Sequence, residues 1–430
     1  MLLCTAAFAA LQPDRIVENP AFAATSLPLN RSPIVAALPP LPADPANLLG
    51  GEPRVVSRHA GTAMVHSPSI TELSDGRLFA TWFGGSREGA GDVAIYGAYF
   101  NPGEAQWSVA RAVITRESTE ALVDRYIRKL GNPVVMRLEG QRLALFFVSV
   151  SVGGWATSQI NMAISEDNGA SWDFTRRLVT SPFFNLSTLV KGTPYRYADG
   201  SIALPVYHEM MGKFGELLRI SPRGDVLSKT RLTHRRDAIQ PVLLPYNEHE
   251  AIALLRDSGD HRPFKAVMTG SHNSGLDWSA PENATFYNPN SALAGIVLDC
   301  GRLLSVANDT EDERHRLTLL VSADRGETWD PILRIEDSSD NGEARRHVPQ
   351  AEFVQTLRQS LALEGVPASQ QEQFLASAQQ ALCEEGQCRF RYDYPYLIKA
   401  ADGTIHLVYT WNKAYIKHRA FSQEWLAQWI

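Results

Sequence analysis

The sequence contains three copies of one octapeptide pattern, S-x-[DN]-x-G-x-x-W. They are Ser165–Trp172 (SEDNGASW), Ser271–Trp278 (SHNSGLDW) and Ser322–Trp329 (SADRGETW). The copies begin 106 and 51 residues apart, so the longer spacing is close to twice the shorter one. In this pattern the Asp or Asn side chain is suited to bond its own backbone, Gly supplies a positive φ, and Trp covers the turn with apolar surface. A motif that recurs on one period predicts a supersecondary unit used repeatedly, here with a rigid turn between the outer strands of a β-unit. We expect the octapeptide to shape the fold and to take no part in chemistry.

A second repeat is spread along the whole chain. Six times, an X-Pro step or a similar one opens an apolar strand, which a turn connects to a second apolar strand. The openings are Ser67-Pro68, Asn132-Pro133, Thr193-Pro194, Gln240-Pro241, Asn290-Ser291 and Tyr394-Pro395. The matching turns are Asp75-Gly76, Glu139-Gly140, Asp199-Gly200, Asn247-Glu248, Cys300-Gly301 and Asp402-Gly403. Asp-Gly between apolar runs is a strong hairpin signal. A spacing of roughly 50–65 residues fits one four-stranded sheet per repeat, so the pattern predicts an all-β, six-bladed β-propeller.

The spacing before the last turn is about twice the others, which indicates an insertion. Phe353, Leu357, Leu361, Phe374 and Leu382 recur there at helix-like intervals among Gln, Glu and Ser. We predict two short helices within an insertion at about residues 343–388, which ends in the loop between Cys383 and Cys388. These two cysteines are expected to pair only in an oxidising compartment.

The N-terminal residues 1–50 are expected to lie outside the propeller, which would occupy residues 51–430. Residues 2–12 are apolar but lack a preceding basic region and are too short to span a bilayer. They are interpreted as a signal or anchor truncated by a late start codon, or as a frayed tail, and residues 13–50 as an extended Pro- and Ala-rich linker. A periplasmic, secreted or membrane-anchored protein is the corresponding expectation, with membrane contact only through that anchor. The net charge of −6 gives no reason to expect a nucleic-acid partner.

The six openings predict where a functional site lies. The first strand of each propeller blade lines the central channel, so residues at the strand starts converge from six distant parts of the sequence. Ordinary loop chemistry explains any one of these polar residues, but six converging sets favour a site. They are His66, Ser67, Asn132, Thr193, Gln240, Asn290, Tyr392 and Tyr394.

Charged residues near these openings suggest an acidic substrate. Arg256 ends the second strand of the fourth blade, and Arg314 precedes an apolar strand of the fifth. Arginine offers a planar fork suited to a carboxylate, although a surface ion pair is an equal alternative for either residue. The Gly-rich loop 83–92 places Arg87, Glu88 and Asp92 beside the first opening. His208 and Glu209 end a strand of the third blade and are further candidates for the channel mouth. No metal-binding motif is present, and no cofactor is expected.

The same segments resemble a known family. The stretches HSPSITELSDGRLFATWFGGSREGAGDVAIY, QPVLL, NPNSA, DYPYLIKAADGTIHLVYTWN and IKH are similar to the bacterial BNR-repeat (Asp-box) sialidase-like proteins. The resemblance runs from about residue 55 to residue 420, apart from the helical insertion. It implies a six-bladed propeller and the sialidase residues: three arginines on the sugar carboxylate, a Tyr nucleophile assisted by Glu, and an Asp acid/base. A Tyr nucleophile is a recognised exception to the two-carboxylate scheme of glycosidases.

Carried onto this chain, the resemblance makes Arg256 the second arginine and Arg314 the third. It makes Tyr392 the nucleophile, with Tyr394 as the alternative. The chain also departs from the family, because His66 stands where the first arginine is expected and Gln240 where the assisting Glu is expected. Gln cannot take the tyrosyl proton. Glu88 and Asp92 are the candidates for the acid/base.

Three functions remain open at this point. The first is an exo-acting glycoside hydrolase that removes a terminal acidic sugar, sialic acid or a related ulosonic or uronic acid, from a glycan. In it Arg256 and Arg314 bind the carboxylate, His66, Arg87, Asn132 and Asn290 assist, Glu88 or Asp92 protonates the leaving oxygen, and Tyr392 or Tyr394 reacts or stabilises charge. The second is a non-catalytic propeller that binds acidic glycans. The third is a polysaccharide lyase that uses Tyr and His at the same mouth.

Overall fold

The chain folds into a propeller of six β-blades, two of which are joined by a parallel strand pair into one nine-stranded sheet. The fold is described from a computed structural model, which describes residues 18–23, 54–56, 62–181, 185–260, 262–338 and 347–428. The prediction of a mostly β, six-bladed propeller with a helical insertion is confirmed. The predicted apolar segment 2–12 and most of the predicted linker lie outside the described residues.

The strands of each blade are given from the channel outwards. Blade 1 contains Met64–Glu72, Leu78–Gly85 and Ala94–Asn101, with an outer edge of Gln106–Trp107 and Arg111–Ile114; blade 2 contains Lys129–Arg137, Leu143–Val150, Gln159–Ser165 and Phe174–Arg177. Blade 3 begins with a divided strand, Leu189–Val190 and Tyr195–Arg196, followed by Ile202–His208, Lys213–Ile220 and Val226–Arg231; blade 4 contains Asp237–Pro245, Ala251–Asp257, Lys265–Ser271 and Glu282–Tyr287. Blade 5 contains Ala294–Val297, Leu303–Ala307, Arg316–Ser322 and Asp330–Asp337; blade 6 contains Tyr392–Lys399, Ile405–Trp411 and Tyr415–Phe421.

The N-terminal part of the chain closes the ring. The strand Arg54–Val55 pairs with Tyr415–Phe421 and forms the outer edge of blade 6. The earlier segment 18–23, within the predicted linker, also contacts the propeller. Phe22 stacks on Tyr197 at 5.1 Å between ring centroids, and its N–H donates to the carbonyl of Glu248 at 2.8 Å.

The octapeptides form the predicted turns between third and fourth strands. In the first copy the hydroxyl of Ser165 donates to Asp167 at 2.7 Å and accepts from the N–H of Gly169 at 2.8 Å. The third copy repeats both bonds at 2.8 Å, with Ser322 in the place of Ser165. Their glycines have φ of +86° and +94°, a region that glycine occupies without strain. The motif therefore ends one strand and starts the next through its own hydrogen bonds.

A β-bulge occurs at the same point in the innermost strands of blades 1, 2, 4 and 6. Two residues there oppose one residue of the second strand, and the first of the two is the residue before proline. These residues have positive φ: Ser67 (53°), Asn132 (45°), Gln240 (52°) and Tyr394 (53°). Asn290, at the opening of blade 5, has a φ of 51°. A bulge breaks the alternation of side chains along a strand and turns one of them in a new direction, so the bulges decide which opening residues face the channel.

Blade 3 opens differently. Its innermost strand is interrupted at Lys191 and Gly192. A Cβ on Gly192 would lie 2.1 Å from the carbonyl oxygen of Pro241 in blade 4, so only glycine fits at this approach of two backbones. This close approach fixes Lys191 at the centre of the ring.

The insertion before blade 6 contains the two predicted helices, Gln350–Leu363 and Ala368–Leu382. Phe353, Leu357, Leu361, Phe374 and Leu382 are all buried, as the periodicity predicts, in a cluster that the helices share with blades 5 and 6. The helices follow Val348–Pro349 and lead into a hairpin of Cys383–Glu384 and Gln387–Cys388. Cys383 and Cys388 form a disulfide. Shorter helices are Arg116–Val123, the 3-10 turn Trp155–Thr157 and Gln423–Leu426.

Candidate functional site

One end of the channel collects the starts of the innermost strands and the loops between second and third strands. The two meet because consecutive strands in a blade are antiparallel. We call this end the channel mouth. Residues 86–93, 209–212, 258–260, 262–264, 308–315 and 412–414 surround it, while the Asp-Gly turns and the octapeptides lie at the opposite face.

A chain of hydrogen bonds crosses the mouth from blade 2 to blade 6. The amide of Asn132 donates to the hydroxyl of Tyr207 at 3.1 Å. Gln240 donates from the same nitrogen to Tyr207 at 3.3 Å and to the hydroxyl of Tyr394 at 3.0 Å. Its carbonyl oxygen accepts from Arg256 Nη1 at 3.0 Å. The arginine therefore fixes the orientation of the Gln240 amide, and the phenol of Tyr394 accepts a hydrogen bond from it.

The two candidate tyrosines lie on different sides of their strand. Tyr394 faces the channel, whereas Tyr392 is 5% exposed and belongs to the apolar cluster around the helical insertion. Burial and then the nearby carboxylate of Glu336 raise the pKa of Tyr392 well above its ordinary value. Regular alternation would put both rings on one face, but the bulge at Tyr394 reverses this. Of the two residues, only Tyr394 lies with the other mouth residues.

Asp393, between the two tyrosines, is the most highly paired carboxylate of the mouth. It is fully buried, with Arg314 Nη1 at 2.6 Å, Arg391 Nε at 2.9 Å and Lys413 Nζ at 3.6 Å. Burial alone would raise the pKa of Asp393, but these cations outweigh it and hold that pKa well below its ordinary value. Arg314 is thus already occupied by a carboxylate from the protein itself.

Asn290 connects the two predicted arginines. Its side-chain oxygen accepts from Arg256 Nε at 2.7 Å, and its backbone carbonyl accepts from Arg314 Nη2 at 2.6 Å. Arg256 is bound through Nε and Nη1 to neutral amides only, whereas Arg314 pairs with Asp393. Among the described residues, no carboxylate forms an ion pair with Arg256, although the charge of Glu209 acts on it from nearby.

His66 lies directly against Tyr394, with 4.2 Å between ring centroids. Its Nδ1 is 3.2 Å from the hydroxyl of Thr410. Burial, and then the charge of Lys413, lower the pKa of His66 well below its ordinary value. The imidazole is therefore neutral at neutral pH.

The Gly-rich loop places its three charged residues differently. Asp92 accepts from the N–H and the hydroxyl of Ser86, both at 2.9 Å, so its carboxylate ties the loop together. Glu88 lies 3.5 Å from Lys413 Nζ and thereby reaches the mouth. Arg87 is exposed.

Glu209 is a further carboxyl group at the mouth, in the loop after the second strand of blade 3. Burial raises its pKa, and Arg256 and then Lys213 offset part of this effect. Among the mouth carboxylates described here, Asp393 and Glu209 thus have pKa values shifted in opposite directions.

Lys191 forms the floor of the mouth. It is 2% exposed, donates to the carbonyl of Pro395 at 2.9 Å, and lies 5.6 Å and 5.2 Å from the ring centroids of Tyr394 and Tyr396. Burial lowers the pKa of Lys191 from 10.5 to about 7. Thr193, expected at the mouth, instead lines a cavity at the other end of the channel.

Sequence reasoning missed several of these residues. They are Lys191, Tyr207, Arg391, Asp393 and Lys413. One signal for two of them was available, because the run Arg391–Tyr394 places Arg and Asp within an otherwise apolar strand start.

A group of cations lies around the innermost residues of the mouth. Arg256, Arg314, Arg391 and Lys413 face the carboxylates of Asp393, Glu88 and Glu209, with Lys191 below them. Among the described residues, no group of three or more His, Cys, Asp or Glu side chains is placed to hold a metal ion. In the same part of the chain, no helix is long and apolar enough to cross a membrane.

The fold and the repeats define a family. A family model described as BNR repeat-like domain matches residues 76–407, and the chain belongs to that family. None of the curated proteins is a detectable sequence relative of this chain.

Solved structures similar to this chain are mostly glycosidases. A Hadza microbial sialidase, Hz136, superposes with a TM-score of 0.60 at 14% identity, covering 85% of this chain and 67% of its own. The NanB sialidase from Streptococcus pneumoniae gives 0.60 at 9% identity, covering 87% and 71%. An α-L-arabinanase from Penicillium chrysogenum gives 0.56 at 11% identity, covering 87% and 98%. At these identities the likeness establishes the sialidase-like propeller fold alone, which is shared by enzymes with different substrates.

Proposed function

We propose that the protein is an exo-acting glycoside hydrolase that removes a terminal acidic sugar from a glycan. The observation that carries this proposal is the connection of Tyr394 through Gln240 to Arg256, which forms no ion pair with a carboxylate among the described residues. Arg256 is the residue that would bind the sugar carboxylate, since Arg314 is already paired with Asp393. The sialidases among the structural neighbours support this substrate class.

The closed floor of the channel supports attack at a chain end. Tyr207, Lys191 and Tyr396 are each at most 2% exposed and fill the channel below Tyr394. A glycan cannot thread through such a ring, so only its terminal sugar reaches the phenol. The floor therefore blocks the substrate on one side of the reacting sugar, and the rest of the glycan can extend only out of the mouth.

The surroundings of Tyr394 favour a role close to the reacting carbon. A neutral phenol approaches an anionic sugar without the charge repulsion that a carboxylate would meet. The amide of Gln240 donates to the phenol oxygen at 3.0 Å, and Lys191 Nζ lies 5.6 Å from the centroid of the ring. Gln240 has no basic site for the proton, so a different group accepts it.

Glu209 is the proposed proton donor to the leaving oxygen. A general acid must hold its proton near neutral pH, and burial raises the pKa of this carboxyl group. Glu88 and Asp92 are less suited, because one is paired with Lys413 and the other with Ser86. Glu209→Gln should remove the descending alkaline limb of the kcat profile against pH. An unchanged alkaline limb would exclude Glu209.

The decisive experiment compares Tyr394→Phe with Tyr392→Phe. Both variants remove one phenol hydroxyl from the same strand, but only Tyr394 faces the mouth. With a panel of α-linked sialosides and uronic-acid-terminated glycans, we expect Tyr394→Phe to lose about a hundredfold or more in kcat and Tyr392→Phe to keep it. Equal losses in both variants would contradict the assignment. Binding without turnover by the wild-type protein would instead identify a non-catalytic glycan-binding propeller.

A lyase is the second candidate, and His66 is the observation that favours it. A neutral imidazole beside a tyrosine is an acid–base pair able to remove the C5 proton of a uronic acid and protonate the leaving oxygen. The same panel distinguishes the reactions, because elimination gives an unsaturated product that absorbs in the ultraviolet and hydrolysis does not.

We also propose that the chain works in an oxidising compartment. The disulfide between Cys383 and Cys388 supports this, since such bonds persist in periplasmic or extracellular proteins. Fractionation of the native source, followed by thiol labelling of both cysteines, tests it. Recovery of the protein with reduced cysteines in the cytoplasm would reject it.

A further inference from the structure

A second cavity lies at the end of the channel opposite to the mouth. It has a volume of about 180 Å³ and is formed where the innermost strands of five blades end. Its lining includes Thr71, Arg137, Thr193, Arg196, Val297 and Lys399. The buried layer of Lys191 and Tyr396 separates it from Tyr394.

Three cationic side chains border this cavity, and two of them pair with carboxylates that point to solvent. The side chain of Arg196 is 18% exposed, whereas that of its partner Glu139 is 81% exposed. The side chain of Lys399 is 14% exposed and that of its partner Asp299 is 67% exposed. Exposed carboxylates are hydrated and screened, so they neutralise the buried ends of these cations only in part.

The third cation, Arg137, is 8% exposed and donates from Nη1 to the carbonyl of Leu73 at 3.0 Å. Burial lowers its pKa, while the nearby carboxylate of Glu72 raises it. Glu72 also lines the cavity, and one of its oxygens accepts from the N–H of Ala401 at 3.0 Å. The carboxylate of Glu72 is thus directed in part to the backbone of blade 6.

One residue that lines this cavity, Arg196, has a buried donor without an acceptor among the described residues. Arg196 Nη1 is buried and has no hydrogen-bond partner among the described residues. An unsatisfied guanidinium nitrogen is costly, and a bound water or ion is one way in which such a group is satisfied. The remaining walls combine the hydroxyls of Thr71 and Thr193 with apolar side chains such as Leu397, which suit the hydroxyl and C–H faces of a sugar ring.

We propose that this cavity is a second binding site, for a monosaccharide that carries one oxyanion group, a carboxylate or a phosphate ester. The oxyanion would accept from Arg196 and the neighbouring cations, and the sugar ring would lie against the apolar wall. The cavity volume of about 180 Å³ is about six times the roughly 30 Å³ that one water molecule occupies in the liquid. This is more space than a bare inorganic anion requires. This site lies on the opposite face from the mouth and does not depend on the reaction that the mouth performs.

Binding is measured by titration calorimetry on the full chain, in the Arg256→Ala background that weakens carboxylate binding at the mouth. The probes are glucuronate, glucose 6-phosphate, inorganic phosphate and neutral glucose. We expect at least one anionic sugar to bind with one-to-one stoichiometry, and glucose to bind at least tenfold more weakly. Binding of no anionic sugar, or of inorganic phosphate alone, would overturn the proposal.

Arg196→Gln tests the position of the site, and Arg219→Gln is the matched control. Arg219 is also a partly buried arginine of blade 3 paired with an exposed carboxylate, but it does not line the cavity. Arg196→Gln should weaken binding at least tenfold and Arg219→Gln should leave it unchanged. Should Arg196→Gln unfold, Lys399→Gln makes the same comparison. Equal affinity in the variant and the control would place the ligand elsewhere and reject the site, whatever the turnover at Tyr394.

Discussion

Lys191 and Lys417 are both 2% exposed, but their electrostatic surroundings differ. Lys417 lies between the carboxylates of Glu336 and Glu364. Lys191 donates to the carbonyl of Pro395, and no carboxylate among the described residues pairs with it. Because of this difference, substitution of Lys191 is the clearest test of how a buried charge affects the stability of the channel.

We predict that Lys191→Met stabilises the protein below pH 7. The fall in the pKa of Lys191 from 10.5 to about 7 corresponds to about 5 kcal/mol for keeping its ammonium charged in the folded chain. Loss of the hydrogen bond to Pro395 offsets about 1–3 kcal/mol of this gain. The variant should therefore be more stable than the wild-type protein by about 2–4 kcal/mol near pH 6.

The advantage of the variant should shrink as the pH rises. Between pH 7 and 10.5 the unfolded chain still binds the Lys191 proton and the folded chain does not. The wild-type protein consequently gains about 1.4 kcal/mol of stability per pH unit relative to the variant, which loses its advantage near pH 9.

Urea unfolding of both proteins at several pH values between about 6 and 10 measures this difference. Lys417→Met is the control, and it should destabilise by about 3–5 kcal/mol because it removes the cation that Glu336 and Glu364 share and leaves Glu336 with Arg419 alone. A Lys191→Met variant that is not stabilised near pH 6, or whose stability difference does not change with pH, would refute the reasoning.

Three further changes test other parts of the fold. Gly192→Ala should destabilise the protein by about 2 kcal/mol or more, because the added Cβ would lie 2.1 Å from the carbonyl oxygen of Pro241. Urea unfolding measures this change. Gly154→Ala is the control and should have little effect, because the space around its Cβ is open. Burial alone would raise the pKa of Glu336, but Lys417 and Arg419 outweigh it and lower that pKa, so its contribution to stability is present above pH 4.5 and is lost on acidification. Thermal melts between about pH 6 and 3 should therefore show a smaller acid-induced fall in Tm for Glu336→Gln, and an unchanged fall would exclude this carboxylate. Asp324→Ala should cost about 1–2 kcal/mol in chemical denaturation, since it removes the acceptor of three hydrogen bonds within the third octapeptide turn, and an unchanged midpoint would contradict that role.

Repetition explains why so much of the fold could be predicted. Each turn, strand pair and octapeptide is a local signal, and six copies reinforce one another. The helices of the insertion were equally readable, because Phe353 to Leu382 keep a helical period. The segment 18–23 was not recognised as part of the packed structure, since a single Phe22 in a Pro- and Ala-rich stretch has no period.

The site was harder to predict because its residues are selected by bulges and by pairing across blades. The choice between Tyr392 and Tyr394 depends on one residue with a φ of 53°, which breaks the alternation used to assign faces. Two of the three partners of Asp393 come from blade 5 and from a loop twenty residues later, so no local pattern announces those two. The sequence indicated which strand starts meet at the mouth, but not which of the charged side chains there pair with one another.

The left-handed backbone at the five openings has a consequence for how this architecture changes its chemistry. Ser67, Asn132, Gln240, Asn290 and Tyr394 share nearly one φ, set by the local chain rather than by the identity of the side chain. The backbone at each opening can therefore carry a different side chain while the other blades keep the ring closed. Asn, Asp and His tolerate this conformation better than β-branched residues do. The side chains at these openings can thus differ from blade to blade while the backbone that carries them keeps one conformation.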